Sequence, residues 1–149
     1  MTPEQLFGLA NMLALPGWAI LIFAPRRWPA LNLLSAVVIP LILSALYTGL
    51  VLRHFADAQG GYSTLASVKT LFLSDPVLLA GWAHYLAFDL MVGALMAARL
   101  DVVGVSRLIQ GPILISIFLF GPVGVLFSYA IEAALLLTRP KFLQQQVLQ

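Results

Sequence analysis

There is no cysteine among the 149 residues. That excludes disulfides, thiol nucleophiles, thiolate zinc sites and iron–sulfur clusters together. Charge is scarce: Asp, Glu, Lys and Arg make up 9% of the chain, against about 25% in an ordinary soluble domain. A Gly-rich phosphate loop and a G-x-S-x-G nucleophile turn are missing, and no serine is marked out as the nucleophile of a triad. The net charge is only +2, and a basic bias beside apolar segments reflects lipid headgroups rather than nucleic acid. The opening residues, MTPEQLFGLANMLALPGW, carry neither a positively charged leader nor an Arg- and Ser-rich one, so the first apolar segment is expected to be retained.

What the chain does have is hydrocarbon. Hydrophobic residues are 61% of it, well above the 45–50% or so of soluble domains, so the bilayer is the expected solvent. The pattern predicts an all-α bundle of four transmembrane helices in one domain, residues 1–138, with a tail over 139–149. Helix one is expected over 3–24, with Thr2 as N-cap, Pro3 in the first turn and a weak point at Pro16-Gly17. Helix two covers 31–52 and contains Pro40. Between helices two and three, the polar turn RHFADAQGGY precedes STLASVKTLF. There Leu65, Val68, Leu71 and Phe72 form one apolar stripe, which reads as a short interfacial amphipathic helix. Asp75-Pro76 opens helix three, which closes near Arg99. The short turn LDVVGVS makes helix four its antiparallel neighbour. Helix four is expected as one long kinked span over 107–137, interrupted at Gly111-Pro112 and Gly121-Pro122.

Sidedness is balanced on this reading. Arg53, Lys69, Arg139 and Lys141 fall on one face of the bilayer, and Arg26, Arg27, Arg99 and Arg107 on the other, four against four. Glu4 before the first helix and Arg26-Arg27 after it lean toward both termini outside. No internal repeat is evident, which disfavours an inverted-repeat transporter.

The third apolar stretch, PVLLAGWAHYLAFDLMVGALMAA, carries His84 and Asp89 near its middle. An ionisable group at mid-membrane costs roughly 2.5–3.5 kcal/mol on insertion scales, so each needs a partner, water or a function. Five residues apart, they are about 140° around the helix from one another and cannot share a proton directly. Tyr85 and Asp89 share a face, with Trp82 close by. One reading is a polar pocket in which Asp89 and His84 act as acid and base, because a carboxylic acid held in hydrocarbon can keep and donate its proton. Gly81 would then let another backbone approach the imidazole. The other reading makes both groups hydrogen-bonded helix glue. Asn11 in helix one is read chiefly as such glue, and Glu132 as structural, either reaching the interface or paired with Arg107 or Lys141 through a partner chain. Trp28 suits a headgroup belt, whereas Trp18 and Trp82 lie deeper and could line a pocket for a flat apolar ligand. No metal site is expected: two histidines and few carboxylates lack the i, i+3 or i, i+4 spacing of helical ligands. No cofactor is expected either.

Three segments together carry a resemblance: LFGLANMLALPGWAILIFAPR, YSTLASVKTLFLSDPVLLAGWAHYLAFDLMVG and LFLFGPVGVLFSYAI. They resemble the abscisic-acid-deficient-four-like membrane family, that of the plant neoxanthin synthase protein and of a bacterial domain of unknown function, over about residues 5–130. The resemblance implies four membrane helices and, in plants, isomerisation of a carotenoid epoxide to an allene. That reaction needs a proton given to the epoxide oxygen and one taken from carbon. His84 and Asp89 match the HYLAFD segment, so the resemblance implies those roles for them. The pocket of such a pigment- or isoprenoid-handling protein is expected to be lined by Asn11, Trp18, Trp82, His84, Tyr85 and Asp89. Ser106-Arg107 stand where the family often has proline-histidine. The expected partners are membrane lipid and a hydrophobic polyene or isoprenoid, with a second copy or another membrane protein as a further partner. The expected location is the bacterial inner membrane, and the rival expectation is a non-enzymatic binding or assembly subunit.

Overall fold

The computed structural model describes residues 1–138; the expected tail over 139–149 lies outside the described residues. The chain is all-helical, with no strand among the described residues. Helix α1 is Pro3–Phe23, α2 is Pro29–His54, α3 is Leu65–Leu71, α4 is Asp75–Val102, α5 is Arg107–Phe120 and α6 is Pro122–Thr138. Three of them, α1, α2 and α4, are long and apolar enough to cross a membrane. The molecule is thus built as a membrane protein.

Helix α1 starts on a reciprocal cap: the Thr2 hydroxyl accepts from Gln5 N, and Gln5 Oε1 accepts from Thr2 N. It runs on through Pro16 without ending, so the expected weak point is not a break. Gly17 is instead a seat for a neighbour. A Cβ there would lie 2.6 Å from Leu90 of α4 and 3.1 Å from Ile39 of α2. Helix α2 absorbs its own proline differently. Residues Leu34–Val38 form a π-turn just before Pro40, and Ile39 N bonds back to Leu34 O. A proline inside a helix lacks a donor and crowds the carbonyl four residues earlier; the wider turn accommodates both.

Helix α4 is the central post. It contacts α1, α2, α5 and α6, and its buried residues Leu86, Ala87, Leu90, Ala97 and Leu100 meet Trp18, Leu43, Leu114 and Ile117 in one core. At about 1.5 Å per residue, its 28 residues exceed the ~30 Å hydrocarbon thickness.

The expected fourth helix is two. Residues 107–137 do not form one kinked span; α5 and α6 are an antiparallel hairpin that reverses at Gly121-Pro122. Gly121 has φ +48°, which suits glycine. Gly124 packs directly on the Ile117 backbone, where a Cβ would come within 2.4 Å of Ile117 N. Farther down the same seam, Leu108 and Pro112 of α5 line a cleft with Ala130 and Ile131 of α6. The hairpin starts and finishes beside the same end of α4: Arg107 contacts the last carbonyls of α1, and Glu132 grips Arg99. Its tip, Gly121, meets Asp89, about 20 Å from either end of α4. The physical reason is the proline–glycine pair: Gly121 turns the chain and Pro122 has no N–H with which to continue α5.

Candidate functional site

Leu78, Trp82, Tyr85 and Asp89 recur at helical spacing along one face of α4. The upper part of this face meets α1. Trp82 Nε1 donates to Asn11 Oδ1 at 2.9 Å. The indole also lies against Phe7 at 5.5 Å and Tyr85 at 5.3 Å between ring centroids. Asn11 is therefore a partner of Trp82, fixing an aromatic side chain rather than reaching into open space.

The lower part of the face meets the hairpin tip. In an unbroken helix the carbonyl of Phe118 would accept from residue 122, but that residue is proline. The Tyr85 hydroxyl takes the place of the missing donor and donates to Phe118 O at 3.1 Å. A helix end packed away from water needs such a replacement. Asp89 lies over the turn itself, with Oδ1 and Oδ2 within 3.1 and 3.3 Å of where a Gly121 Cβ would be. Its Oδ2 is buried and has no hydrogen-bond partner among the described residues.

Because the hairpin stops at half depth, the other half of the bundle contains α1, α2 and α4 with α3 at its end. A cavity of about 640 Å³ opens there, bounded by Glu4, Phe7, Phe72, Asp75, Gly81 and Trp82 among others. The Phe72 ring, not another backbone, fills the space over Gly81, where a Cβ would lie 2.9 Å from it. Trp82 is both a wall of the cavity and the neighbour of Tyr85, so the aromatic face joins the cavity to Asp89.

The structure does not bring His84 to Asp89. His84 is exposed on another face of α4, stacked on Phe88 at 4.4 Å and tilted against Tyr47 at 5.5 Å. Nor does Trp18 line the cavity. It is 3% exposed, packs on Phe118 at 5.3 Å and fills the space above Gly93. Trp28 is exposed at the end of the bundle. Glu132 finds its cation within the chain: Arg99 Nη2 and Nε donate to its two oxygens at 2.7 and 3.0 Å. The expected pairing through a partner chain is unnecessary, because the hairpin returns Glu132 to α4. Among the described residues, no group of three or more His, Asp or Glu side chains is placed to hold a metal.

Sequence reasoning missed the Phe118 carbonyl and Gly121 as parts of this site. The signal was the FGPVG segment, in which a glycine and a proline together both turn a helix and strip it of a donor.

Residues 5–129 match the sequence model described as ABA DEFICIENT 4-like. The chain belongs to that family. The matched region holds the whole aromatic face, from Phe7 and Asn11 through Trp82, Tyr85 and Asp89 to the hairpin tip. No curated protein and no solved structure matches this member of the ABA DEFICIENT 4-like family.

Proposed function

We propose that this protein binds a carotenoid or related isoprenoid in the groove between α1 and α4 and isomerises its oxygenated end group, with Asp89 as the proton donor. The observation that carries this reading is the continuous aromatic path from the 640 Å³ cavity to a buried carboxyl oxygen without a partner. That volume falls in the range of about 300–1,000 Å³ typical of small-molecule sites. Phe7, Trp82 and Tyr85 offer flat apolar surface to a polyene. The cavity lies on the outside of an apolar bundle, so a lipid-soluble ligand reaches it sideways from the bilayer.

The chemistry assigned to Asp89 is a proton loan. The carboxyl gives its proton to an epoxide oxygen, a carbon–oxygen bond opens, and the carboxylate recovers a proton from the adjacent carbon as the new double bond forms. Atoms and electrons balance without an oxidant. His84, on another face, has no step in this scheme. Tyr85, bonded to Phe118 O, holds the hairpin tip and the carboxyl in register.

In the membrane, we propose three crossings, by α1, α2 and α4, with α5–α6 as a re-entrant hairpin and α3 lying at the interface. Among the described residues, Arg26, Arg27, Arg99 and Arg107 then gather at the end where the hairpin enters, and Arg53 and Lys69 at the other. By the positive-inside rule this excess supports a hairpin end in the cytoplasm of a bacterial inner membrane, with the cavity at the outer side.

A second reading, a non-enzymatic assembly subunit, is favoured by Asn11, whose bond to Trp82 is ordinary helix glue. One experiment separates them. A carotenoid-producing host expressing the wild-type chain is compared with one expressing Asp89→Asn, by pigment chromatography. A changed isomer profile with the wild type, lost in an Asp89→Asn protein that remains extractable and helical, supports catalysis. Identical profiles for host, wild type and variant reject it and leave the assembly role.

A further inference from the structure

At the end of the bundle opposite the cavity, α1, α2, α4 and α5 converge on a polar cluster that the groove does not use. Arg26, in the turn after α1, donates through Nε to Asp101 Oδ2 at 3.0 Å. The other oxygen of Asp101 accepts from Gln110 Nε2 at 2.6 Å. Asn32 Nδ2 donates to the Arg26 carbonyl at 2.7 Å. Arg107 Nη2 donates to the carbonyls of Leu21, Ile22 and Ala24, closing the C-terminal end of α1.

These bonds leave the cluster incomplete. Arg26 Nη2, Arg107 Nη1, Asn32 Oδ1 and Gln110 Oε1 are buried and have no partner among the described residues. Buried polar atoms of this kind call for an explanation. The charge is also out of balance. Arg26 and Arg107 interact, and Asp101 is the carboxylate paired with Arg26. Burial first, and Arg107 second, push the Arg26 guanidinium below its ordinary value, with Asp101 acting the other way.

Beside the cluster is a second cavity, of about 370 Å³. Its polar mouth is Arg26, Asn32 and Asp101, and its slot continues between α2 and α4 along Ala36, Ala94 and Ala98. Ser35 and Ala36 belong to the π-turn of α2. Such turns are frequent at functional sites because they re-aim one helix face. The small side chains leave room for a hydrocarbon chain beside the mouth.

We propose that this cluster is a lipid phosphate site: Arg26 takes phosphate oxygens with the Arg107 charge behind it, Asn32 Oδ1 accepts from a headgroup hydroxyl, and the alkyl chain lies along Ala36, Ala94 and Ala98. The guanidinium fork matches phosphate geometry, and the orientation of the Asn32 amide is fixed by its donated bond to the Arg26 carbonyl. The ligand is thus an anionic phosphodiester with a hydroxylated headgroup, of which phosphatidylglycerol is the probe.

The test uses the purified full chain in detergent micelles, titrated with phosphatidylglycerol, phosphatidylcholine or inorganic phosphate and read by thermal stabilisation and by native mass spectrometry. Phosphatidylglycerol is expected to saturate at least tenfold more tightly than phosphatidylcholine. Arg26→Gln should weaken it at least fivefold. Arg27→Gln, which removes the same formal charge from an exposed neighbour, should change it less than twofold. Ala98→Leu leaves every bond of the cluster in place and fills the slot, so it too should weaken phosphatidylglycerol at least fivefold. Equal losses in Arg26→Gln and Arg27→Gln would reduce the effect to general attraction at a basic end and overturn the site. So would wild-type affinity in Ala98→Leu, which also decides the matter if Arg26→Gln does not fold. Inorganic phosphate binding as tightly as the lipid would overturn the lipid assignment in favour of free phosphate.

Discussion

The reversal at Gly121-Pro122 can be tested by placing one methyl group at two glycines of the same hairpin. At Gly124, a Cβ would lie 2.4 Å from Ile117 N and 2.8 Å from Ile117 Cα. Those atoms are backbone, so no rotamer change relieves the overlap. The two helices must separate by about 1 Å, and a gap of that size forfeits roughly a quarter to a half of each van der Waals contact along the seam. Overpacking of this kind costs about 1–3 kcal/mol, offset by the roughly 0.5–1 kcal/mol that alanine gains over glycine in a helix. Gly124→Ala should therefore lose about 1–2 kcal/mol. At Gly111, in α5, a Cβ meets nothing within 4 Å, and the same substitution should gain about 0.4–1 kcal/mol. The assay is denaturant unfolding in mild detergent followed by helical circular dichroism. Equal stability of Gly124→Ala and Gly111→Ala would refute this packing, because a hairpin closed on Ile117 cannot accept that methyl group without moving.

The Arg99–Glu132 pair should respond asymmetrically, because the Glu132 side chain is 6% exposed and that of Arg99 is 41% exposed. Arg99→Ala strands a buried carboxylate and should cost about 2–3 kcal/mol, whereas Glu132→Ala frees a cation that can reach headgroups and should cost about 1 kcal/mol. The reverse order in chemical unfolding would place the burial on the wrong partner. Since the chain has no cysteine, single introduced cysteines report topology cleanly. Arg27→Cys and Leu137→Cys should react with an impermeant maleimide from the cytoplasmic side, and Gln59→Cys from the other; Leu137→Cys reacting with Gln59→Cys would restore a single spanning helix.

Much of the helical layout was legible because water marks it. The polar turns at 24–29 and 55–64, the Thr2 cap and the Asp75-Pro76 start are all features of chain leaving hydrocarbon. The hairpin was not legible for the same reason. Its turn sits inside the bundle, so it carries no polar run, and Gly121-Pro122 looks like the kink that any long apolar helix tolerates. The groups that make the reversal possible stand elsewhere in the sequence, at Tyr85 and Asp89. The π-turn of α2 is equally silent, though Pro40 explains it once seen. Within the site, helical spacing sufficed to put Trp82, Tyr85 and Asp89 together and to hold His84 apart. Spacing could not reveal that Trp18 packs on Phe118 as core, because that contact depends on where the hairpin stops.

Where the hairpin ends is what shapes the groove. Had 107–137 crossed the membrane as one helix, it would have covered α1 and α4 along their whole length, and the face bearing Trp82 would have been packed solid. Ending at Gly121, it covers only half, and the uncovered half is the cavity. The same ending creates an unsatisfied carbonyl and a tight backbone corner at mid-depth, which Tyr85 and Asp89 meet. Tyr85 spends its hydroxyl proton on Phe118 O, so it is committed to structure. Asp89 keeps an oxygen without a partner, so it retains chemical capacity. The arrangement of two residues one turn apart follows from Pro122: with an N–H at that position, Phe118 O would be paired within its own helix and would not need the Tyr85 hydroxyl.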